Sequence, residues 1–267
     1  MKNKGNPFLY IGGAISAVMT ALIVMGYFWT PYDPEAMIAK KFLPPSAAHL
    51  MGTDNFGRDI FSRVIDGAGT SFFIALCVVA IGCAAGILIG SFCGYYGGLP
   101  DLILTRVCDS ITAFPSFLLA LVIVSITGSG TYNIILALGI LFIPSFARIV
   151  RGEFARCRDL NYIKSARLMG ARPLRIMFSH ILPNTLQVLF SAVTIGFNNA
   201  VLSEASMSFL GIGIQPPDAS LGSMLSDSQT YLRNAPWYAM GTGAVIILLI
   251  LGFSLLSEGL QRAGRSS

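Results

Sequence analysis

Charge is what this 267-residue chain has least of. Only 12% of its residues are Asp, Glu, Lys or Arg, half of the roughly 25% usual in soluble domains. Hydrophobic residues make up 54%. A water-soluble core cannot absorb that much apolar surface, so the solvent for most of the chain is lipid. Histidine is scarce: His49 and His180 are the only two and lie far apart, which argues against a His-based metal site. The five cysteines, Cys77, Cys83, Cys93, Cys108 and Cys157, show no C-x2-C spacing. Four fall in or beside apolar segments and Cys157 lies in a basic loop, so neither zinc nor disulfides are expected. No G-x4-G-K-[ST] phosphate loop occurs, so the chain is not itself a P-loop ATPase. No nucleophile–base pair stands out either, and no catalytic residue, cofactor or metal is expected.

What is present is a series of long uncharged runs. Residues 8–29 can cross a bilayer, which takes roughly 20 residues. Lys2 and Lys4 precede this run, which is longer than the roughly 7–15-residue apolar core of a signal peptide, so it reads as an uncleaved first span. A second span is expected at 70–93. The run from Ser110 to Ala147 is too long for one helix, and Gly128-Ser129-Gly130 divides it into spans at 110–127 and 131–150. Spans at 184–207 and 237–256 complete six. Six spans put both termini on one side, and the positive-inside rule makes that side the cytoplasm. Of the 18 basic residues, 13 then fall inside and 5 outside. This placement explains the net charge of +5 without nucleic acid. The main inner loop is 151–183, and the whole chain reads as a single all-α membrane domain with no internal repeat.

Gly82, Gly86, Gly90 and Gly94 recur every four residues along one face of the second span. Such a stripe lets another backbone come close. Packing within the chain is the first reading, and packing against a second subunit the alternative. Pro115 and Pro144 are expected to kink the third and fourth spans.

The inner loop is the most informative stretch. Asp159 or Asn161 suits a helix start, Gly170 suits the left-handed position that ends it, and Pro173 suits the first turn of a second short helix. Pro183 precedes the fifth span. The first helix is expected to present Tyr162, Ala166 and Met169 on one face, with Ser165 and Ala166 keeping part of it flat. From spacing alone, this helix either enters a partner's groove or lies on anionic lipid.

The stretch resembles the loop E-A-A-x3-G-x9-I-x-L-P of ATP-binding-cassette (ABC) importer permeases. Ala166, Gly170, Leu182 and Pro183 match it, whereas Lys164, Ser165 and His180 replace Glu, Ala and Ile. The ending His180-Ile-Leu-Pro-Asn184 is similar to the peptide and nickel subfamily. So are Gly52–Ile65, Gly94-Tyr-Tyr-Gly-Gly98, Ala113-Phe-Pro115, Glu204–Gly213 and Gln215-Pro-Pro217, in the same order along nearly the whole chain. The likeness is to the C-type permease of dipeptide and oligopeptide systems. It implies a type I importer permease fold with six transmembrane helices in a bacterial inner membrane. Its implied partners are a homologous second permease, two ABC ATPases that hydrolyse ATP, and an extracytoplasmic substrate-binding protein. It also implies that Tyr162, Lys164, Ser165, Ala166, Met169, Gly170 and Pro183 couple the spans to the ATPase. Lys164 reverses a charge at that dock. Peptides lead as substrate and nickel or a metal chelate is the alternative. A free-standing secondary transporter or channel is the competing class, and would need coupling-ion or filter residues within the membrane.

Glu204 is the one acid inside an expected span, hence a functional candidate. It is expected near the outer end of its helix, within reach of water. Asn198 and Asn199, one turn below, are candidates for a polar translocation path. In the outer segment, Asp54–Arg58 and Asp59–Arg63 have the i,i+4 spacing of ion pairs worth about 0.2–0.5 kcal/mol each on a helix. That segment reads as an interfacial structural element.

Overall fold

The computed structural model describes residues 6–265, with side chains through Arg262. Lys2, Lys4 and the side chain of Arg265, used above to assign sidedness, lie outside the described residues. Among the described residues nine helices follow in order: α1 Pro7–Phe28, α2 Ile60–Tyr96, α3 Gly98–Thr112, α4 Ser116–Thr127, α5 Thr131–Cys157, α6 Asn161–Leu168, α7 Pro173–Phe209, α8 Leu221–Thr230 and α9 Pro236–Arg265. Five of them (α1, α2, α5, α7 and α9) are long and apolar enough to cross a membrane. The pair α3–α4 passes the same length and composition test only when taken together, bent by 84° at residues 113–115. The expected third span at 110–127 is therefore not one continuous helix: its first residues belong to α3, which starts at Gly98. Pro115 sits at the bend as the residue before α4. Pro144 lies inside α5 without ending it.

The second span is longer than expected. Its helix starts at Ile60 rather than near 70 and runs 37 residues. Charged Arg63 is nevertheless buried within its first turn, with Asp54 of the preceding chain 3.8 Å away. The fifth span also starts early, since α7 runs without interruption from Pro173. The expected second short helix is therefore the root of the fifth span. Within it, Ile176–Ile181 form a π-helical turn. Pro183 lacks an N–H and crowds the carbonyl four residues back, and a wider turn relieves that conflict.

The glycine stripe packs within the chain. A Cβ at Gly86 would lie 2.5 Å from Phe146 Cβ and 2.8 Å from the Ala147 nitrogen, and at Gly90 2.5 Å from the Ala147 carbonyl. Helices α2 and α5 thus run side by side with backbones nearly touching, as small residues permit where apolar burial alone does not drive association. On the other flank, α1 lies antiparallel on α9, with Gly12, Gly252 and Gly259 at the contacts. The main core includes Ile74, Val78, Ile134, Phe146, Phe197, Ala200 and Met207. A second, smaller core of Val150, Phe154, Ile163, Ala166, Ile176, Met177 and Ile181 joins α5, α6 and the start of α7.

Candidate coupling hairpin and translocation cleft

The smaller core makes α6 a rigid extension of the bundle. Ile163 and Ala166 point into it, against Ile176, Met177 and Ile181 from α7 and Phe154 from α5. Fully burying one such aliphatic side chain stabilises by about 1.5–3 kcal/mol. The expected common face of Tyr162, Ala166 and Met169 is therefore split. Ala166 turns inward with Ile163, Tyr162 is half-exposed, and Met169 has left helical geometry and faces solvent. The large apolar Ile163 dictates which face the helix buries. Lys164 and Ser165 are exposed.

The ends of α6 divide likewise. Its N-terminal flanking residue is Leu160, with no side-chain cap, so neither Asp159 nor Asn161 acts as expected. At the other end Gly170 has φ +79°. The Ala171 N–H donates to the Ala166 carbonyl and the Gly170 N–H to the Arg167 carbonyl, both at 3.0 Å. These two bonds form a Schellman motif, which satisfies two otherwise orphaned carbonyls and requires the left-handed residue. Pro173 then opens α7 at its first position. The hairpin is also tied across its root: Asn184 Nδ2 donates to the His180 carbonyl at 2.8 Å and to the Tyr162 hydroxyl at 3.3 Å. Burial pushes the Tyr162 phenol above its ordinary range. The tip consists of Leu168, 90% exposed, Met169, 81%, and Leu174, 67%.

The polar candidates of α7 do not converge. Asn199 lines a cleft of about 530 Å³ at the α3–α4 bend, together with Thr112, Ser116, Ser145, Ser203 and apolar Phe114, Ile149 and Ile195. No charged side chain lines it. Asn198 shares a smaller cleft with Asn199, Ser254, Ser257 and Glu258. Glu204 lines neither cleft. It is wholly buried rather than wet, because α8 folds back across α7, with Gly222 against the Ala205 backbone. Ser208 Oγ donates to Glu204 Oε1 at 2.7 Å and accepts from the Ile214 N–H at 3.2 Å. The Leu221 N–H donates to Ser71 Oγ at 3.3 Å. Glu204 therefore belongs to a polar knot joining α2, α7 and the start of α8, which residue spacing on α7 alone does not reveal.

At the same end, residues before α2 form an ionic plate. Asp54 accepts from Arg58 Nε at 2.6 Å and from the backbone N–H groups of Phe56 and Arg58, and Arg63 Nε lies 3.8 Å from it. Asp59 does not pair with Arg63. It caps α2 through the Ser62 N–H and meets His49 Nδ1 at 2.8 Å. All five charged or titratable groups are buried.

Five apolar helices long enough to span a membrane, one bent pair, a hairpin anchored at one end and a half-open cleft are the architecture of a multi-span membrane protein. The chain belongs to the family of binding-protein-dependent transport system inner membrane components, which residues 86–264 match. Such a component is a permease rather than an enzyme, and works with a substrate-binding protein and an ATPase. The chain is 39% identical to the dipeptide transport system permease protein DppC of Haemophilus influenzae, over 94% of this chain and 88% of that one. It is 40% identical to the glutathione transport system permease protein GsiD of Pectobacterium atrosepticum, over 94% and 85%. It is 34% identical to the probable D,D-dipeptide transport system permease protein DdpC of Escherichia coli, over 97% and 87%. Among solved structures, an inward-facing MetNI methionine ABC transporter shares the fold, with a TM-score of 0.60 at 20% identity over 76% of this chain and 95% of that one.

Proposed function

We propose that this chain is one of two related permease subunits of an ABC importer for short peptides, delivered by an extracytoplasmic binding protein. Relatives at similar identity are named for dipeptides and for glutathione, itself a tripeptide. Those names favour peptides over the nickel alternative. Both chain termini and the α6 hairpin face the cytoplasm in this reading, where two ATPases dock. Tyr162, Lys164, Ser165, Ala166, Met169, Gly170 and Pro183 then serve the dock in different ways. Ala166, Gly170 and Pro183 shape it, Tyr162 braces it, and Lys164, Ser165 and Met169 face the partner.

The observation that carries the reading is the hairpin's anchorage: α6 shares one small core with α5 and α7. A push on its tip moves two spans together, which is what rigid-body alternating access requires. The cleft at the α3–α4 bend, with Asn199, Ser145 and Ser203, supplies this subunit's half of the path, and the second permease closes it. Neutral amide and hydroxyl groups suit peptide backbones whatever their side chains. Asn198 lies beside this path, and Glu204 braces the outer end instead of touching substrate.

Uptake of radiolabelled dipeptides and tripeptides by the complex in proteoliposomes tests the reading. ATP-dependent accumulation is expected, and unlabelled peptide should compete where nickel does not. Accumulation of nickel alone, or of peptide without ATP, would refute it.

A further inference from the structure

The root and the tip of the hairpin treat positive charge differently. At the root, Arg151 makes two 2.6 Å hydrogen bonds to Asp101. Arg156 pairs with Glu153, and Arg158 reaches Asp159 and the Gly94 carbonyl. At the tip, Lys164, Arg167, Arg172 and Arg175 are all exposed, and none forms a salt bridge among the described residues. Arg167 alone finds a partner ring, 5.0 Å from the centroid of Tyr95. No Asp or Glu occurs between Asp159 and Glu204. The four cations surround Leu168, Met169 and Leu174, the most exposed apolar side chains of the hairpin.

A rule that only sets sidedness gives no reason to neutralise the root and leave the tip bare. An apolar knob ringed by unneutralised cations matches a surface with an apolar floor and a negative rim. Anionic lipid offers negative charge too, but the tip stands off from it. In α7 the expected span at 184–207 rises about 36 Å at 1.5 Å per residue, enough to fill the roughly 30 Å hydrocarbon core. Residues 173–183 continue the same helix about 16 Å further. That exceeds the headgroup layer and the Debye length of about 8 Å in physiological salt.

We infer that the ATPase groove receiving this hairpin is rimmed by carboxylates, one of them within reach of Lys164, and has an apolar floor for Leu168 and Met169. The inference rests on the reading of the hairpin as the ATPase dock, and the experiment separates the two. Lys164 is the one lysine between Lys41 and the C-terminus, which makes it a clean chemical probe. The intact complex, purified in detergent with its own ATPases, is treated with a carbodiimide that joins amines directly to carboxylates, and the products are mapped by mass spectrometry. A Lys164–Asp or Lys164–Glu link to the ATPase is expected. It should vanish in Lys164→Arg, which still assembles. Lys164→Glu combined with Arg172→Glu should lower ATPase co-purification about tenfold while the amount of inserted permease stays level. Raising salt from 0.1 to 0.5 M should mimic that loss.

Three outcomes overturn the inference. An amine-to-amine linker that joins Lys164 to ATPase lysines where the carbodiimide does not leaves the dock standing and removes its acidic rim. Leu168→Asp with undiminished ATPase co-purification removes the dock itself. Charge-reversal variants that keep their ATPase but lose retention on vesicles of phosphatidylcholine with 30% phosphatidylglycerol assign the cations to the membrane.

Discussion

The two ends of the bundle use the same residue types to opposite effect. At the end holding α8, charge is turned inward: Asp54 pairs with Arg58 and lies 3.8 Å from Arg63, Asp59 pairs with His49, and all five are buried. Glu204 is sunk among serines. At the end holding α6, apolar groups make the joint and the tip cations face out. Burying ions is costly unless every partner is in place, and once in place they tolerate few rearrangements. The first end is thus a plate with one arrangement. The second is a firm stalk whose unmet charge and exposed Leu168 and Met169 await a partner. Charge satisfied internally separates scaffold from docking surface better than charge content does.

The contrast breaks most sharply at Asp54. Asp54→Ala leaves the buried Arg58 without its hydrogen-bonded carboxylate, and removing one member of a buried pair costs about 3–5 kcal/mol. Thermal unfolding of the purified protein in detergent should show the largest drop of any single change considered, whereas Lys164→Ala at the opposite end should stay within about 0.5 kcal/mol of the parent. Equal losses at the two positions would erase the distinction between plate and dock.

A smaller effect is expected where the ends are joined. Gly86→Leu places atoms where the Phe146 Cβ and Ala147 nitrogen already stand, and overpacking of this kind costs about 1–3 kcal/mol or more. Lower thermal stability and lower yield of inserted protein are the readouts. Unchanged stability would mean that α2 and α5 slide freely and cannot carry motion from one end to the other.

Much of this was legible before any coordinates. Uncharged run lengths pointed to the apolar helices, and four-residue glycine spacing marked a close-packed face without naming α5 as its partner. Gly170 and Pro173 marked the turn, because left-handed φ and a missing N–H are properties of single residues. What stayed hidden depended on partners distant in sequence. The i,i+4 spacing shows the Asp54–Arg58 pair, but nothing local says that Asp59 turns to His49 instead of Arg63 or that the whole cluster is buried. Glu204 read as water-accessible because the return of α8 over α7 is a tertiary event. In α6, periodicity put Ala166 with Tyr162 and Met169, but burial of Ile163 against α7 rotated the helix. The candidate path divided for the same reason: Asn199 and Glu204 are five residues apart on one helix, yet one faces a cleft and the other a serine-lined joint.

The subtlest test lies in the turn of the hairpin. A Cβ at Gly170 would meet no atom within 4 Å, so substitution there cannot fail through collision. Only the φ of +79° resists it, at about 1–2 kcal/mol for an L-residue in left-handed geometry and more for a β-branched one. Such a cost is too small and too local to unfold a six-span bundle. It is enough to open the Ala171–Ala166 bond and tilt Leu168 and Met169 away from their bearing. Gly170→Val should therefore insert and melt like the parent while peptide uptake is lost, with Gly170→Asn, better tolerated at positive φ, retaining part of it. Normal uptake by a well-expressed Gly170→Val variant would mean that the direction of the tip does not matter, and that the exposed end couples through something other than a rigid hairpin.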